Sequence, residues 1–121
     1  MTYQNNIRDK SYAFAKQSVR FYALHSKNEM LRPLLFQFVR SVTSIGANID
    51  EAVAAESRAD FRHKMTIAHK EARESAFWLR LLVDTDIINT SECEPLYDKV
   101  LELVKILFAI CRTAKKPRSD N

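Results

Sequence analysis

Two groups of polar side chains in this sequence could do chemistry. The first is a stripe beside the apolar positions of two successive helical patterns. Its members are Arg40, Ser41, Ser44, Asn48, Glu51, Lys64, Glu71, Glu74 and Trp78. Polar groups at a half-buried seam must pair with one another or incur a desolvation cost. The stripe therefore predicts a structural hydrogen-bond network. The alternative is a small-molecule pocket that uses Glu71 and Glu74.

The second group is basic. It consists of Arg62, His69, Arg73 and Arg80 at helical spacing, opposite an apolar stripe, and of Lys16, Arg20 and Lys27 on a polar face nearer the N-terminus. Contacts to nucleic-acid phosphates need only an array of such side chains, and they carry no sequence information. These residues predict a phosphate-contacting surface, and the alternative is a solvated outer face. Because the sequence shows no aromatic stacking platform, we expect little sequence preference.

Other site chemistries find little support in the sequence. There is no Glu-x-x-His pair of the kind that di-metal bundles use, and the nearest pattern is Asp60-x-x-His63 at a helix start. Neither a Gly-x-Ser-x-Gly nucleophile motif nor a phosphate-cradling loop is present. Cys93 and Cys111 are too far apart along one predicted helix to pair, so both are expected to be free. We therefore expect no metal, no cofactor and no enzymatic activity.

Helices must position these groups. The 121 residues include one glycine and three prolines, and 46% are hydrophobic. Apolar residues recur at spacings of three and four, which places them on one face of a helix. The pattern predicts a single domain spanning residues 1–121, with helices at about 7–25, 33–55, 58–84 and 92–114 and a polar tail at 115–121. Short connections between four helices predict an all-α fold, an antiparallel up-down-up-down four-helix bundle.

Local signals mark the helix starts and the pairing of the central hairpin. Ser57 is expected to cap the third helix, and Ser91 with Glu94 is expected to form a capping box for the fourth. Gly46, the only glycine, lies mid-helix and predicts a close helix–helix approach, with a hinge as the alternative. A turn near residues 57–58 fixes the partners across the hairpin. The predicted partners are Ser44 with Glu71, Glu51 with Lys64, and Arg40 and Ser41 with Glu74.

Charge and apolar patterning suggest what surrounds the bundle. The net charge is +4, residues 1–40 carry seven Lys or Arg against two acids, and residues 84–102 are acidic. The apolar arc of the fourth helix is wider than a monomeric bundle needs. Either this helix is unusually deep or it meets another subunit, and we favour the second. The sequence has neither an apolar stretch long enough for a membrane span nor a signal-peptide core, so we expect a cytoplasmic protein.

Several blocks of the sequence resemble a known family. They are Arg40-Ser41-Val42-Thr43-Ser44-Ile45-Gly46-Ala47-Asn48-Ile49, then Glu51, Phe61 and Lys64, then Ile67-Ala68-His69-Lys70-Glu71-Ala72-Arg73-Glu74, and Trp78-Leu79. From about Tyr12 to Cys111 the chain resembles the bacterial four-helix-bundle family that includes proteins encoded in intervening sequences of 23S rRNA genes. The accessory variability determinant of diversity-generating retroelements is similar in fold. Many relatives have glycine after the glutamate, where this chain has Ala52.

The resemblance implies a homopentamer around a central channel and binding to nucleic acid or nucleoprotein, without established catalysis. Together with the basic stripes, it predicts a non-enzymatic oligomeric bundle that binds nucleic acid, RNA in particular, through its outer faces. One alternative is a protein-interaction scaffold for a partner enzyme. The other is the small-molecule pocket at the Glu71 and Glu74 seam.

Overall fold

The chain folds into four helices, and the predicted all-α antiparallel bundle is confirmed. A computed structural model describes residues 3–115, with the side chains of residues 6–115. The helices are α1 (Tyr3–His25), α2 (Arg32–Val53), α3 (Arg58–Asp84) and α4 (Thr90–Lys115). Each helix packs on the next, and α1 closes the ring against α4, whereas within residues 3–115 no Cα atoms of the two diagonal helix pairs come within 8 Å of each other. Apart from Lys115, the predicted polar tail lies outside the described residues.

The helix starts follow from side-chain capping. Ser57 Oγ accepts a hydrogen bond from the Asp60 N–H at 3.0 Å, as the sequence predicts. At the fourth helix the cap is Asn89 instead, because its Oδ1 accepts from the Ser91 N–H at 3.1 Å. Ser91 therefore lies within the first turn of α4, and the predicted capping box with Glu94 is wrong. The first helix begins earlier than expected, at Tyr3.

The core lies along the axis of the bundle. Each helix buries one apolar stripe, and α1 contributes Ile7, Phe14 and Phe21 at intervals of two helical turns. The rings of Phe14 and Phe21 meet Phe38 of α2 edge to face, with centroids 6.3 and 6.2 Å apart. This geometry suits the charge distribution of aromatic rings and adds to the gain from burying their area. The contacts fix α1 against α2.

The described structure does not show the predicted close approach at Gly46. A Cβ atom added to Gly46 would meet nothing within 4 Å, so this prediction is wrong for the isolated chain. Gly46 lies on the side of α2 that faces α1, one helical turn from Asp50, which pairs with Arg8 of α1 at 2.7 Å. Tight contact occurs elsewhere, at the buried hydroxyls of Ser41 and Ser75, whose Oγ atoms lie 2.7 Å apart.

The wide apolar arc of α4 is mostly covered within the chain. Its fully buried side chains are Cys93, Leu96, Val100, Leu103, Leu107 and Ile110. Tyr97, Val104 and Ile106 are partly buried against the same core. Two large apolar side chains of α4 remain exposed, Leu101 at 38% and Phe108 at 55%. The arc is therefore wide chiefly because α4 is deep in the bundle.

Replacing Gly46 with alanine should stabilise the isolated chain. Glycine inside a helix costs about 0.5–1 kcal/mol relative to alanine, and the new methyl group meets no neighbour. We expect Gly46→Ala to raise the free energy of unfolding in urea by about that amount. The matched control is Ala47→Gly at the next, exposed position, which should lower it similarly. Destabilisation by Gly46→Ala would mean that something outside the chain approaches this position.

Candidate nucleic-acid interface

The ion pairs of the bundle are distributed unevenly among its interfaces. Five pairs join different helices in residues 3–115, at N···O distances of 2.7 to 2.9 Å. They are Arg8–Asp50 between α1 and α2, Lys10–Glu102 and His25–Glu92 between α1 and α4, and Arg40–Glu74 and Lys64–Glu51 between α2 and α3; the His25–Glu92 contact is an ion pair only when the imidazole is protonated. In this described part of the chain, no ion pair crosses from α3 to α4. Three acids of these two helices contact α1 or α2 instead: Glu74 of α3, and Glu92 and Glu102 of α4.

The surface formed by α3 and α4 is consequently basic. We define the basic face as Arg62, His69, Arg73 and Arg80 of α3 with Arg112 and Lys115 of α4. All of its Arg and Lys side chains are exposed, and no ion pair to them is found within residues 3–115. The two α4 residues were missed by the sequence analysis, because only the packing of α4 against α3 brings them beside Arg62.

The larger cleft on the basic face lies between the start of α3 and the end of α4. It has a volume of about 480 Å³, and a carboxylate is not among the residues that line it. Its wall includes the Phe108 ring, with the Arg112 guanidinium carbon 5.8 Å from the ring centroid. The His69 ring lies 6.0 Å from the same centroid. Arg58 of α3 donates to the Ala114 carbonyl at 3.4 Å, which ties the two helix ends together.

His69 contributes a ring to this cleft and not a positive charge. Burial lowers the pKa of His69 below its usual value of 6.5, and the neighbouring Arg73 lowers it further. The imidazole is therefore neutral near pH 7. Burial also raises the pKa of the Cys111 thiol, which lines the same cleft, so that Cys111 remains protonated.

A smaller cleft of about 280 Å³ continues the basic face toward the other end of the bundle. Arg73, Arg80, Phe77, Tyr97 and Leu101 contribute to its lining. Phe77 is 52% exposed, so a second aromatic ring lies open beside two guanidinium groups. The clefts contradict the expectation that no aromatic platform accompanies the basic residues.

The other predicted basic residues lie away from this face. Lys16 and Arg20 are exposed on α1, and Lys27 is exposed just after that helix. The Lys16 Nζ atom lies 5.3 Å from the centroid of the Tyr12 ring. Because α1 and α3 are diagonal in the bundle, the two basic groups belong to different sides of the molecule. The described structure thus separates one predicted surface into two.

The seam between α2 and α3 contains two of the expected partnerships. Arg40 Nη2 donates to Glu74 at 2.9 Å, and Lys64 lies 2.8 Å from Glu51. The hydrogen bond to Glu51 raises the pKa of Lys64. In the same helical register, Ser41 bonds to Ser75, the residue next to its predicted partner Glu74.

Other members of the predicted stripe behave differently. Ser44 accepts a hydrogen bond from Asn48 Nδ2 at 3.2 Å within its own helix, and its expected bond to Glu71 is not found among the described residues. In the same part of the chain, Glu71 Oε2 and Trp78 Nε1 are buried without hydrogen-bond partners. Burial raises the pKa of Glu71, and the nearby Glu74 raises it further, although Arg40 opposes the shift.

Comparisons with known proteins give the same architecture. The family described as 23S rRNA-intervening sequence protein matches residues 3–109. This chain belongs to that family. A crystal structure of a protein with unknown function from the S23 ribosomal protein family, from Bacteroides thetaiotaomicron VPI-5482, is 40% identical in sequence. The match covers 92% of this chain and 99% of that one, with a TM-score of 0.85. Among curated proteins, none matches.

The predicted resemblance to proteins of 23S rRNA intervening sequences is thus confirmed. Within residues 3–115 of this family member, no cluster of three or more His, Cys, Asp or Glu side chains could hold a metal ion. None of the described helices combines the length and apolarity of a membrane-spanning segment. Cys93 and Cys111 are free thiols.

Replacing Glu71 with glutamine should reduce the dependence of stability on pH. A raised pKa means that, above about pH 4.5, the folded chain holds this proton more tightly than the unfolded chain. Stability is therefore lost as the pH rises through the folded pKa of Glu71. Glu71→Gln removes this loss and the repulsion from Glu74. We expect the free energy of unfolding at pH 7 to rise by about 0.2–0.5 kcal/mol. Urea unfolding between pH 4 and 7 is the measurement.

The control for this substitution is Glu29→Gln, on an exposed loop residue. It removes one negative charge at a site exposed to solvent, so we expect a change of less than about 0.5 kcal/mol in the free energy of unfolding at pH 7. A loss of about 1–3 kcal/mol in Glu71→Gln would instead indicate a buried hydrogen bond to the carboxylate, as the sequence analysis expected from Ser44.

Proposed function

We propose that this chain is a non-enzymatic, oligomeric nucleic-acid-binding protein that contacts RNA, or a nucleoprotein, through its basic face. The observation that carries this proposal is that, among residues 3–115, no ion pair is found between α3 and α4. Four arginines and Lys115 form one exposed surface, whereas three carboxylates of the same helices, Glu74, Glu92 and Glu102, contact basic side chains of α1 and α2. Phosphates can pair with such a surface without displacing an internal acid.

The energetic argument favours a polyanion over an isolated anion. An exposed ion pair contributes little by itself, typically about 0.2–1 kcal/mol. A nucleic acid, however, brings many phosphates to one array and releases condensed counterions from each. The basic face extends along α3 from Arg62 to Arg80, a rise of about 27 Å, which accommodates several phosphates at once. Catalysis plays no part in this proposal, since binding alone accounts for the arrangement.

A protein-interaction scaffold is the second candidate function. It is supported by exposed apolar side chains near the connection between α1 and α2. Leu24 is 77% exposed, Met30 78% and Phe36 56%. Such side chains suit a protein partner better than a phosphate backbone. The small-molecule pocket has less support, because both clefts described here lie on the α4 side of α3, away from Glu71.

Binding to nucleic acid should depend steeply on salt and on the basic face. Each lost phosphate contact lowers the slope of log K against log salt by about 0.7–0.9. We expect Arg73→Glu with Arg80→Glu to weaken RNA binding and to reduce that slope by about 1.5. The measurement is fluorescence anisotropy with structured and single-stranded probes from low to physiological salt.

A matched double reversal on α1 controls for net charge. Lys16→Glu with Arg20→Glu changes the total charge equally but acts on the opposite side of the bundle. We expect a smaller loss of affinity from this pair. Affinity that ignores both salt and the reversal on α3 would refute the proposed function, and the scaffold would then be favoured.

Self-association is the other part of the proposal. The resemblance implies five subunits, and exposed apolar residues on α1 support a contact: Tyr12 is 66% exposed and Val19 48%. Gly46 leaves the adjoining surface of α2 flat. Sedimentation equilibrium at micromolar concentration should give several times the chain mass of 14.0 kDa. Val19→Glu should lower that mass, while Thr113→Glu, an exposed control on α4, should not. A wild-type monomer at all concentrations would contradict this expectation.

A further inference from the structure

The larger cleft on the basic face combines two kinds of surface. Its rim carries the positive charges of Arg62, Arg112 and Lys115, and its wall carries the ring of Phe108. Lining carboxylates, which would repel an anion, are absent from this described cleft. A complementary ligand has a negative group beside a flat ring, and a nucleotide has both.

The Phe108 ring is available for stacking. It is 55% exposed at the surface of a bundle that buries most other apolar residues of α4. Arg112 lies over the ring, with its guanidinium carbon 5.8 Å from the centroid, and the neutral His69 ring lies 6.0 Å away at a tilt of 51°. Unpaired bases stack on aromatic rings and on guanidinium planes in many single-strand-binding proteins. Such a ring therefore has a ready partner in an unpaired base.

A base within a duplex cannot reach this ring. Paired bases stack on one another, so along its length a double strand presents phosphates, sugars and groove edges but no open base face. The smaller cleft also combines an aromatic ring with positive charges, because Phe77, Arg73 and Arg80 line it. From Arg62 to Arg73 the rise along α3 is about 16 Å, which favours a strand of several nucleotides over a single one.

We propose that the α3–α4 cleft binds an unpaired nucleotide of a single-stranded segment, with its base on Phe108 and its phosphate against Arg62, Arg112 and Lys115. This inference rests on the proposed nucleic-acid function and adds the class of strand. Phosphate pairing supplies the salt-dependent part of the affinity, and stacking supplies the preference for unpaired bases.

The test compares a labelled single-stranded RNA of ~12 nucleotides with a blunt duplex of the same length, a size typical of single-strand-binding modules. Phe108→Leu keeps an apolar side chain and removes the aromatic ring. Loss of one stacked base weakens binding by about fivefold to 150-fold. We expect such a loss for the single strand and no change for the duplex. The control is Phe36→Leu, an exposed ring on another face.

The outcomes separate this inference from the function on which it rests. If Arg73→Glu with Arg80→Glu weakens both probes while Phe108→Leu changes neither, the basic face binds nucleic acid without stacking, and the inference fails alone. If neither probe binds, both fail. If Phe108→Leu lowers the sedimentation mass, the face is a subunit contact, and the inference is overturned.

Two further measurements identify the ligand and do not depend on a substitution. Cys111 lines the cleft, so the single strand should slow its alkylation by N-ethylmaleimide, whereas the duplex should not. Buried Cys93 reports any unfolding. Adenosine monophosphate should displace the single strand better than ribose 5-phosphate, which lacks the base. If adenosine monophosphate binds as tightly as the single strand, the cleft is a site for a free nucleotide. If Cys111 is alkylated at the same rate with and without the single-stranded RNA, the inference is overturned.

Discussion

The antiparallel register of α2 and α3 is the constraint on which the rest of this bundle depends. Ser41 and Ser75 fix it with a buried hydrogen bond, and Arg40–Glu74 and Lys64–Glu51 hold it on either side. A shift along the seam would break this hydrogen bond between the helices, and each hydroxyl would keep only the carbonyl of its own helix, Phe38 O for Ser41 and Glu71 O for Ser75. A hydrogen bond of this kind contributes about 0.5–1.5 kcal/mol. With this register set, the acids of α3 near the seam point to α2, and its arginines remain on the α4 side.

Much of the fold was predictable from the sequence because it depends on local patterns. Apolar periodicity indicated all four helices, and Ser57 indicated the start of α3. The predicted start of α4 was wrong because both Asn89 and Ser91 are residue types that cap helices. Only the backbone geometry of the folded chain selects Asn89. The role expected for Gly46 was also wrong, because a missing side chain permits a close approach without requiring one.

Only the α3 part of the candidate site could be predicted from the sequence. The arginines of α3 stood out by their spacing, but their neighbours on α4 did not, since no local rule gives the register between these two helices. Phe108 was read as part of an apolar arc, and its exposure is a property of the folded bundle. Ser44 and Trp78 show the converse problem, because facing positions in a hairpin do not guarantee hydrogen-bond geometry.

The interface between α1 and α4 is the least extensive of the four helix–helix interfaces, and we expect the bundle to open there. The Lys10–Glu102 ion pair and a contact between His25 Nε2 and Glu92 bridge this side, and α1 brings mainly Ile7, Phe14 and Phe21 to the core. Exposed ion pairs add little, so α1 is the helix whose release costs the least free energy. Its amide protons would exchange with solvent before those of α2 and α3. We therefore expect α1 to open first, while the remaining three helices stay packed on one another.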